Sequence, residues 1–241
     1  MNRIVTLTAL ACFASPALIS RADTSDVDRL VIGPWQLRMT TPDDQPREPV
    51  VLIGRQYDDY VAWYVGDDGL EAMKDVQLED DTLVGSITPK EHPEITVTLQ
   101  ARLKGDDACG GVGSYRSPDG DSGSWEFTGK RIALSDFDKV SQWQLEFVTP
   151  ENEEHSATVT VVAKADDLYA WYSGKDHELP VLDIKIDGDK GVMKMSAATR
   201  DGGTVDLVFR GVAVGDEIKG DIEYNLGGET GSFPFTAKRK S

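Results

Sequence analysis

The sequence predicts an all-β chain made of two tandem copies of a small antiparallel meander β-barrel, each of about eight strands. Three observations lead there. The chain repeats itself at a spacing of 108 residues, apolar residues alternate along most of each copy, and turn-forming clusters separate the alternating runs.

The repeat is plainest in one phrase, Val61-Ala-Trp-Tyr-Val-Gly66 against Tyr169-Ala-Trp-Tyr-Ser-Gly174. At the same offset Trp35-Gln-Leu-x-Met-x-Thr-Pro42 falls on Trp143-Gln-Leu-x-Phe-x-Thr-Pro150, and Asp58-Asp59 on Asp166-Asp167. Asp75 meets Asp183, Val97-x-Leu99 meets Val205-x-Leu207, and Arg102 meets Arg210. Gly123-Ser-Trp-x-Phe-Thr-x-Lys-Arg131 closes the first copy as Gly231-Ser-Phe-x-Phe-Thr-x-Lys-Arg239 closes the second. The lead-in also recurs, Ser25-Asp-Val-Asp-Arg-Leu30 against Ser135-Asp-Phe-Asp-Lys-Val140. A solenoid unit of roughly 20–50 residues cannot fold alone, so this longer period means a complete small domain, duplicated. The division is residues 1–22 as a signal peptide, 23–133 as the first barrel, 134–142 as a linker and 143–241 as the second barrel.

Within the first copy, strands are expected near 35–40, 50–56, 60–65, 74–79, 82–87, 95–103, 109–115 and 123–130. Trp35, Leu37 and Met39 share one face, as do Trp143, Leu145 and Phe147; Ile95, Val97, Leu99, Ala101 and Leu103 continue the alternation. Turns are expected at Asp58-Asp59, Asp67-Asp68-Gly69, Asp80-Asp81, Asp187-Gly188-Asp189, Asp201-Gly202-Gly203 and Gly227-Gly228. Leu70-Glu-Ala-Met-Lys74 has helical propensity, but its copy contains Pro180, which would interrupt a helix, so both are read as extended. Closing the meander into a barrel would remove exposed edges; two β-sandwiches are the alternative, because the sequence does not say where the first and last strands lie.

The N-terminus has the form of a secretory signal. A basic Met1-Asn2-Arg3 precedes an apolar run from Ile4 to Ile19, and Ser20-Arg21-Ala22 offers small residues for cleavage before Asp23. The product is therefore expected to be secreted or periplasmic, with no membrane insertion. Cleavage removes Cys12 and leaves Cys109 as the single thiol, so no internal disulfide is expected. It also removes Arg3 and Arg21, which takes the formal charge from −17 to −19. Such a polyanion repels nucleic acid and anionic lipid.

These residues resemble a small β-barrel repeat of exported bacterial proteins, found alone or appended to hydrolases such as amidohydrolases. The resemblance rests on Gly33-Pro-Trp-Gln-Leu37, Trp63-Tyr-Val-Gly66, the run Val205-Asp-Leu-Val-Phe-Arg-Gly-Val-Ala-Val-Gly-Asp216 and Gly231-Ser-Phe233. The second copy departs at its opening, with Gln142 before Trp143; the first reduces the central run to Leu103-Lys-Gly-Asp-Asp-Ala-Cys109. These motifs cover nearly the whole mature chain and carry no catalytic residue. The opening tryptophan also gives a fainter similarity to avidin- and lipocalin-like barrels.

No catalytic set is assigned. Gly120-Asp-Ser-Gly-Ser124 is similar to the nucleophile motif of chymotrypsin-like proteases, but its copy Gly228-Glu-Thr-Gly-Ser232 loses the serine at position 122 and keeps the glycines, as a hairpin turn would. His92, His155 and His177 have no zinc spacing and are read as solvent-facing loop residues; no metal and no cofactor is assigned. Asp119-Gly-Asp121 and Asp187-Gly-Asp189 lack the full calcium-loop pattern and read as turns. Among the acids, Asp75 and Asp183 are the least arbitrary candidates for a hydrolase with dispersed carboxylates. The aromatics are the candidate ligand-binding residues: Trp35, Trp63, Tyr64, Trp143, Trp171 and Tyr172. Adjacent aromatics on one strand point to opposite faces, so one of each Trp-Tyr pair lies in the core and the other outside it. The expected function is an exported, non-enzymatic binding or accessory module contacting a partner protein or envelope polymer. The alternatives are a carrier of a small apolar ligand and the dispersed-carboxylate hydrolase.

Overall fold

The computed structural model describes residues 31–66, 69–90, 92–150, 152–164, 167–199 and 202–240. The predicted signal peptide, with Cys12, lies outside the described residues. The chain divides into two compact units, one ending at Asp136 and the other starting at Phe137.

The first unit contains β1 (Gly33–Thr40), a short β2 (Pro46–Arg47), β3 (Val50–Gln56), β4 (Asp59–Gly66), β5 (Gly69–Ala72), β6 (Lys74–Glu79), β7 (Thr82–Ile87), β8 (Thr96–Leu103), β9 (Ala108–Arg116) and β10 (Ser122–Arg131). Apart from β2, which pairs with β1 alone, and the step from β5 to β6, each strand pairs antiparallel with its neighbours in sequence order, and β1 pairs with β3 on one side and β10 on the other. The first strand therefore meets the last, as a barrel requires and a two-sheet sandwich does not.

The second unit repeats this with β11 (Lys139–Val148), β12 (Glu154–Lys164), β13 (Asp167–Ser173), β14 (His177–Pro180), β15 (Asp183–Asp187), β16 (Lys190–Ala198), β17 (Thr204–Val214), β18 (Glu217–Leu226) and β19 (Glu229–Arg239), with β11 paired to both β12 and β19. A 3-10 turn, Leu134–Asp136, precedes β11.

Neither ring of ladders is complete, and both break at the same place. In the first unit the run 69–79 pairs with β4 as far as Met73, whose amide donates to the Ala62 carbonyl at 2.9 Å, and then switches to β7. In the second, the Val181 amide donates to Ala170 and the next amide, Leu182, to Lys194 of β16. One bent strand thus serves two neighbours and counts as the fourth of eight. In the first unit the bend carries a bulge between Lys74 and Gln77, where Asp75 sits at φ +53°. The segment with helical propensity is extended, as its proline-bearing copy required.

Each barrel packs its alternating residues inward. Trp35, Leu37, Val51, Ile53, Leu83, Leu99 and Phe127 form the first core; Leu145, Val159, Met195, Phe209, Ile222 and Phe235 are buried in the second. Two inward glycines, Gly111 and Gly220, allow strands to approach so closely that a β-carbon would overlap the carbonyl oxygen of Gln100 or Arg210.

The ladders correct the constant offset. Strand β7 matches β16 at 108, since the hairpins Glu79↔Thr82 and Asp187↔Lys190 coincide. Beyond them Ile87 pairs with Val97, whereas Met195 pairs with Leu207. Val97 is thus the counterpart of Leu207, and Leu99 of Phe209, two residues away from the match made by sequence identity. Arg102 is likewise the counterpart of Val212, because each sits opposite the first residue of the matched hairpin strand. A shift of two keeps every side chain on its own face, so the alternation conceals it.

Candidate functional site

The Trp-Tyr pairs resolve the same way in both copies. Tyr64 packs against the first core and Tyr172 is buried in the second, where burial drives its phenol pKa well above the usual value. Their neighbours Trp63 and Trp171 point away from the barrel interior. Trp63 is buried, while Trp171 meets the Phe137 ring edge-on at 6.4 Å, and Phe137 also packs on Tyr169 at 6.1 Å. These two tryptophans therefore do not line a barrel mouth.

Trp35 and Trp143 do face inward, each at one end of its barrel, and there the copies differ. The Trp35 indole donates to the Val31 carbonyl at 2.9 Å, and Val31 is fully buried over that end. Arg131 lies over the Trp35 ring at 5.9 Å and donates to the Ile32 carbonyl; burial pulls its pKa down, with Asp107 opposing. The space left inside is about 30 Å³, the share of one water molecule.

At the matching end of the second barrel the chain enters directly as strand β11, paired from Lys139 onward. Trp143 donates instead to the Ser141 hydroxyl at 3.3 Å. Here a cavity of about 290 Å³ opens, walled by Trp143, Ile184, Met193, Ile218 and Phe235, with Ile186 at its edge. Phe209 and Phe235, crossed at 72° with centroids 5.9 Å apart, form its floor.

The cause is visible in four substitutions between structural counterparts. Leu83, Ala101, Leu103 and Ile53 of the first copy become Gly191, Gly211, Ala213 and Val161. Cys109, Gly85 and Leu99 become Ile218, Met193 and Phe209, which add bulk elsewhere in the lining, so the cavity marks where side chains are lost and not a net loss of volume. A β-carbon on Gly191 would meet nothing within 4 Å, whereas Leu83 in the same place is only 7 % exposed. Ile186 is left 55 % exposed, an uncovered apolar side chain at the edge of an apolar hollow.

The mouth is polar. The Arg239 guanidinium stacks over Trp143 at 4.9 Å, and its Nε lies 3.5 Å from Asp216 Oδ1. Lys185, Lys190 and Asp189 complete the rim.

The opposite end of the second barrel overturns part of the histidine expectation. His92 is exposed, but His177 is only 5 % exposed on β14 and faces Thr149 and Thr199 across a void of about 30 Å³. His155 lies within β12, stacked on Phe147 at 5.1 Å, and burial lowers its pKa against the opposing pull of Glu153. His155 stands in phase with the inward Ala157, Val159 and Val161, an alternation that could have placed it, whereas no such run surrounds His177; both strands carry the histidines inward over the core.

The candidate acids stand apart from the cavity floor. Asp75 is exposed on its bulge, and Asp183 pairs with Lys194 at 3.1 Å. Gly120-Asp-Ser-Gly-Ser124 is the β9–β10 hairpin, with Gly120 at φ +93° and the Ser117 amide bonded to Asp121. Among the described residues no group of three or more His, Cys, Asp or Glu is placed to hold a metal ion, and no helix is long and apolar enough to cross a membrane.

Neither protein-family models nor curated proteins give a match to this chain. Among solved structures, an outer membrane protein of Bacteroides fragilis, so described only by inference, is 11 % identical over 87 % of this chain and 98 % of its own, with a TM-score of 0.30. A protein of unknown function from Nostoc punctiforme is 9 % identical over 88 % of this chain and 97 % of its own, at 0.28. A mutant of the vaccine antigen transferrin binding protein B from Haemophilus parasuis is 12 % identical over 82 % of this chain and 55 % of its own, at 0.21. Scores this low carry no argument, and the fold described above rests on the ladders alone.

Proposed function

We propose that this chain is an exported, non-enzymatic binding module whose second barrel takes up a small, largely apolar molecule at its tryptophan end. The first barrel is then the filled, structural copy. One observation carries the reading: matched positions of one duplicated domain enclose about 30 Å³ in the first copy and about 290 Å³ in the second. Protein interiors seldom leave voids larger than a water molecule, and this one lies where Gly191 and Ala213 stand in place of Leu83 and Leu103. Its volume falls at the small end of the range for ligand pockets, with apolar walls and a few polar groups at the rim. The signal-like N-terminus supports export.

Native mass spectrometry of the mature chain, residues 23–241, tests this when the protein is purified gently from an exporting host and from native extract. One small molecule bound per chain, lost on gentle activation, is the expected result. A clean mass from both sources, together with no uptake of small naphthalene derivatives at millimolar concentration, would refute it.

A second reading rests on the first unit. An open groove there is lined by Met39, Trp125 and three cations, Arg38, Arg47 and Lys104, against Glu48 and Glu126, with Arg38 paired to Glu48 at 3.1 Å. It would suit an acidic stretch of a partner protein or envelope polymer. Retention of a partner from native extract that is lost in Arg38→Glu/Arg47→Glu would favour it.

A further inference from the structure

We infer that the ligand of the second barrel is a small anionic amphiphile, its apolar body in the cavity and its negative head at Arg239. This deepens the carrier reading and rests on it. The two copies use one arginine differently. Arg131 and Arg239 occupy matching positions at the ends of β10 and β19, and both lie over the opening tryptophan. In the first copy the guanidinium is drawn into the structure and donates to the Ile32 carbonyl. In the second, that backbone partner is replaced by a direct strand entry, and the side chain is half exposed at the mouth.

Arg239 has one competitor for its charge. Asp216 Oδ1 lies 3.5 Å from Nε, and the Asp216 side chain is 81 % exposed. Exposed pairs of this kind contribute little, and a guanidinium presents five donors in a planar fork, so a carboxylate entering over Trp143 finds donors to spare. Lys185 and Lys190 flank the mouth but alternate with the inward Ile184, Ile186 and Gly191, so both point outward, and Lys185 leans 3.8 Å from Asp183; Arg239 is the cation that lies over the opening. The polar groups on the remaining wall are the Ser141 hydroxyl, already bonded to Trp143, and backbone.

Size limits the body. A cavity of about 150 Å³ accommodates a benzene-sized ring, so about 290 Å³ takes two fused rings or a chain of roughly ten carbons. A longer chain would emerge across Ile186.

Three probes with one body separate the possibilities: naphthalene-2-carboxylate, naphthalene-2-methanol and naphthalene-2-methylamine, titrated calorimetrically into the mature chain at low and high salt. The expected order is carboxylate tightest by at least tenfold over the alcohol, amine weakest, with the carboxylate advantage shrinking in high salt. Arg239→Gln should remove that advantage and leave the alcohol affinity within twofold. Should Arg239→Gln fail to fold by circular dichroism, Arg239→Lys, which keeps the charge and loses the planar fork, is expected to reduce the advantage by severalfold. Equal binding of carboxylate and alcohol would overturn the anionic preference while leaving the cavity reading intact. No binding of any probe would overturn both.

Discussion

Replacing Gly191 with leucine should both stabilise the protein and close its binding site. The position has ordinary φ, a β-carbon there meets nothing within 4 Å, and the first copy already holds Leu83 at the same point. Four added carbons at about 0.8 kcal/mol each would give roughly 3 kcal/mol if wholly buried. The mouth is open, so about half of that is realised. Restricting the unfolded chain at a former glycine in a strand adds about 0.5–1 kcal/mol. The expected gain is about 2 kcal/mol, which moves a urea midpoint upward by about 1 M for an m value near 2 kcal/mol/M. Equilibrium urea unfolding followed by tryptophan fluorescence reads the shift, and calorimetry with naphthalene-2-carboxylate should show no heat of binding. A lower midpoint would refute the reasoning, because it would mean that this part of the barrel is already packed and leucine overfills it.

The converse change belongs to the first barrel. Leu83→Ala should cost about 2–5 kcal/mol by urea unfolding, with the larger values if the walls fail to relax; a cost below 1 kcal/mol would show that the first barrel is not tightly filled. Cys109 is buried and its thiol is pushed up to about 11, so a disulfide-exchange reagent at pH 8 should label it only after unfolding. Rapid labelling of the native chain would contradict that burial. His155 has a folded pKa below its unfolded value, so the unfolded chain takes up the proton first. Stability should therefore be full above about pH 6.5 and decline as pH falls toward the folded pKa. The decline should be shallower in His155→Gln when urea midpoints are compared between pH 8 and pH 5; identical slopes would remove His155 as a contributor.

The all-β architecture was legible because period two and turn clusters are local signals, and the repeat doubled each of them. Eight strand positions in the first copy agree with the ladders, and Pro180 correctly settled the conformation of residues 70–74. The inward tyrosines and outward tryptophans were not legible. Alternation says that Trp63 and Tyr64 part company, but which one faces the core depends on which face of β4 the barrel curls around. His155 was misjudged although it stands in phase with Ala157, Val159 and Val161, because a polar residue at the start of an alternating run reads as part of the preceding turn; His177 lies in a short strand with no run to set its phase. The cavity was hidden for a further reason. Its main determinant, Leu83 becoming Gly191, is a difference between copies, and sequence matching rewards only what the copies share. Ala213 could be matched with Leu103 only after the ladders had shown the two-residue displacement.

That displacement says something about how a duplicated barrel can change. Twelve residues in place of ten separate the paired positions where β16 turns into β17, and each of the next two hairpin turns is one residue shorter, so the closing strands return to step. Sliding a strand by one residue would turn it inside out; sliding it by two exchanges each inward side chain for the next inward one. The second copy could therefore take length differences into its loops while every ladder keeps its inward residues inward, β17 standing two residues and β18 one residue from the constant offset. Lengthening the β7–β8 connection by two residues while shortening the two following turns by one each leaves Leu83 in place on β7. Loop changes alone should therefore keep the first barrel filled at that point, and opening it takes the exchange of Leu83 itself.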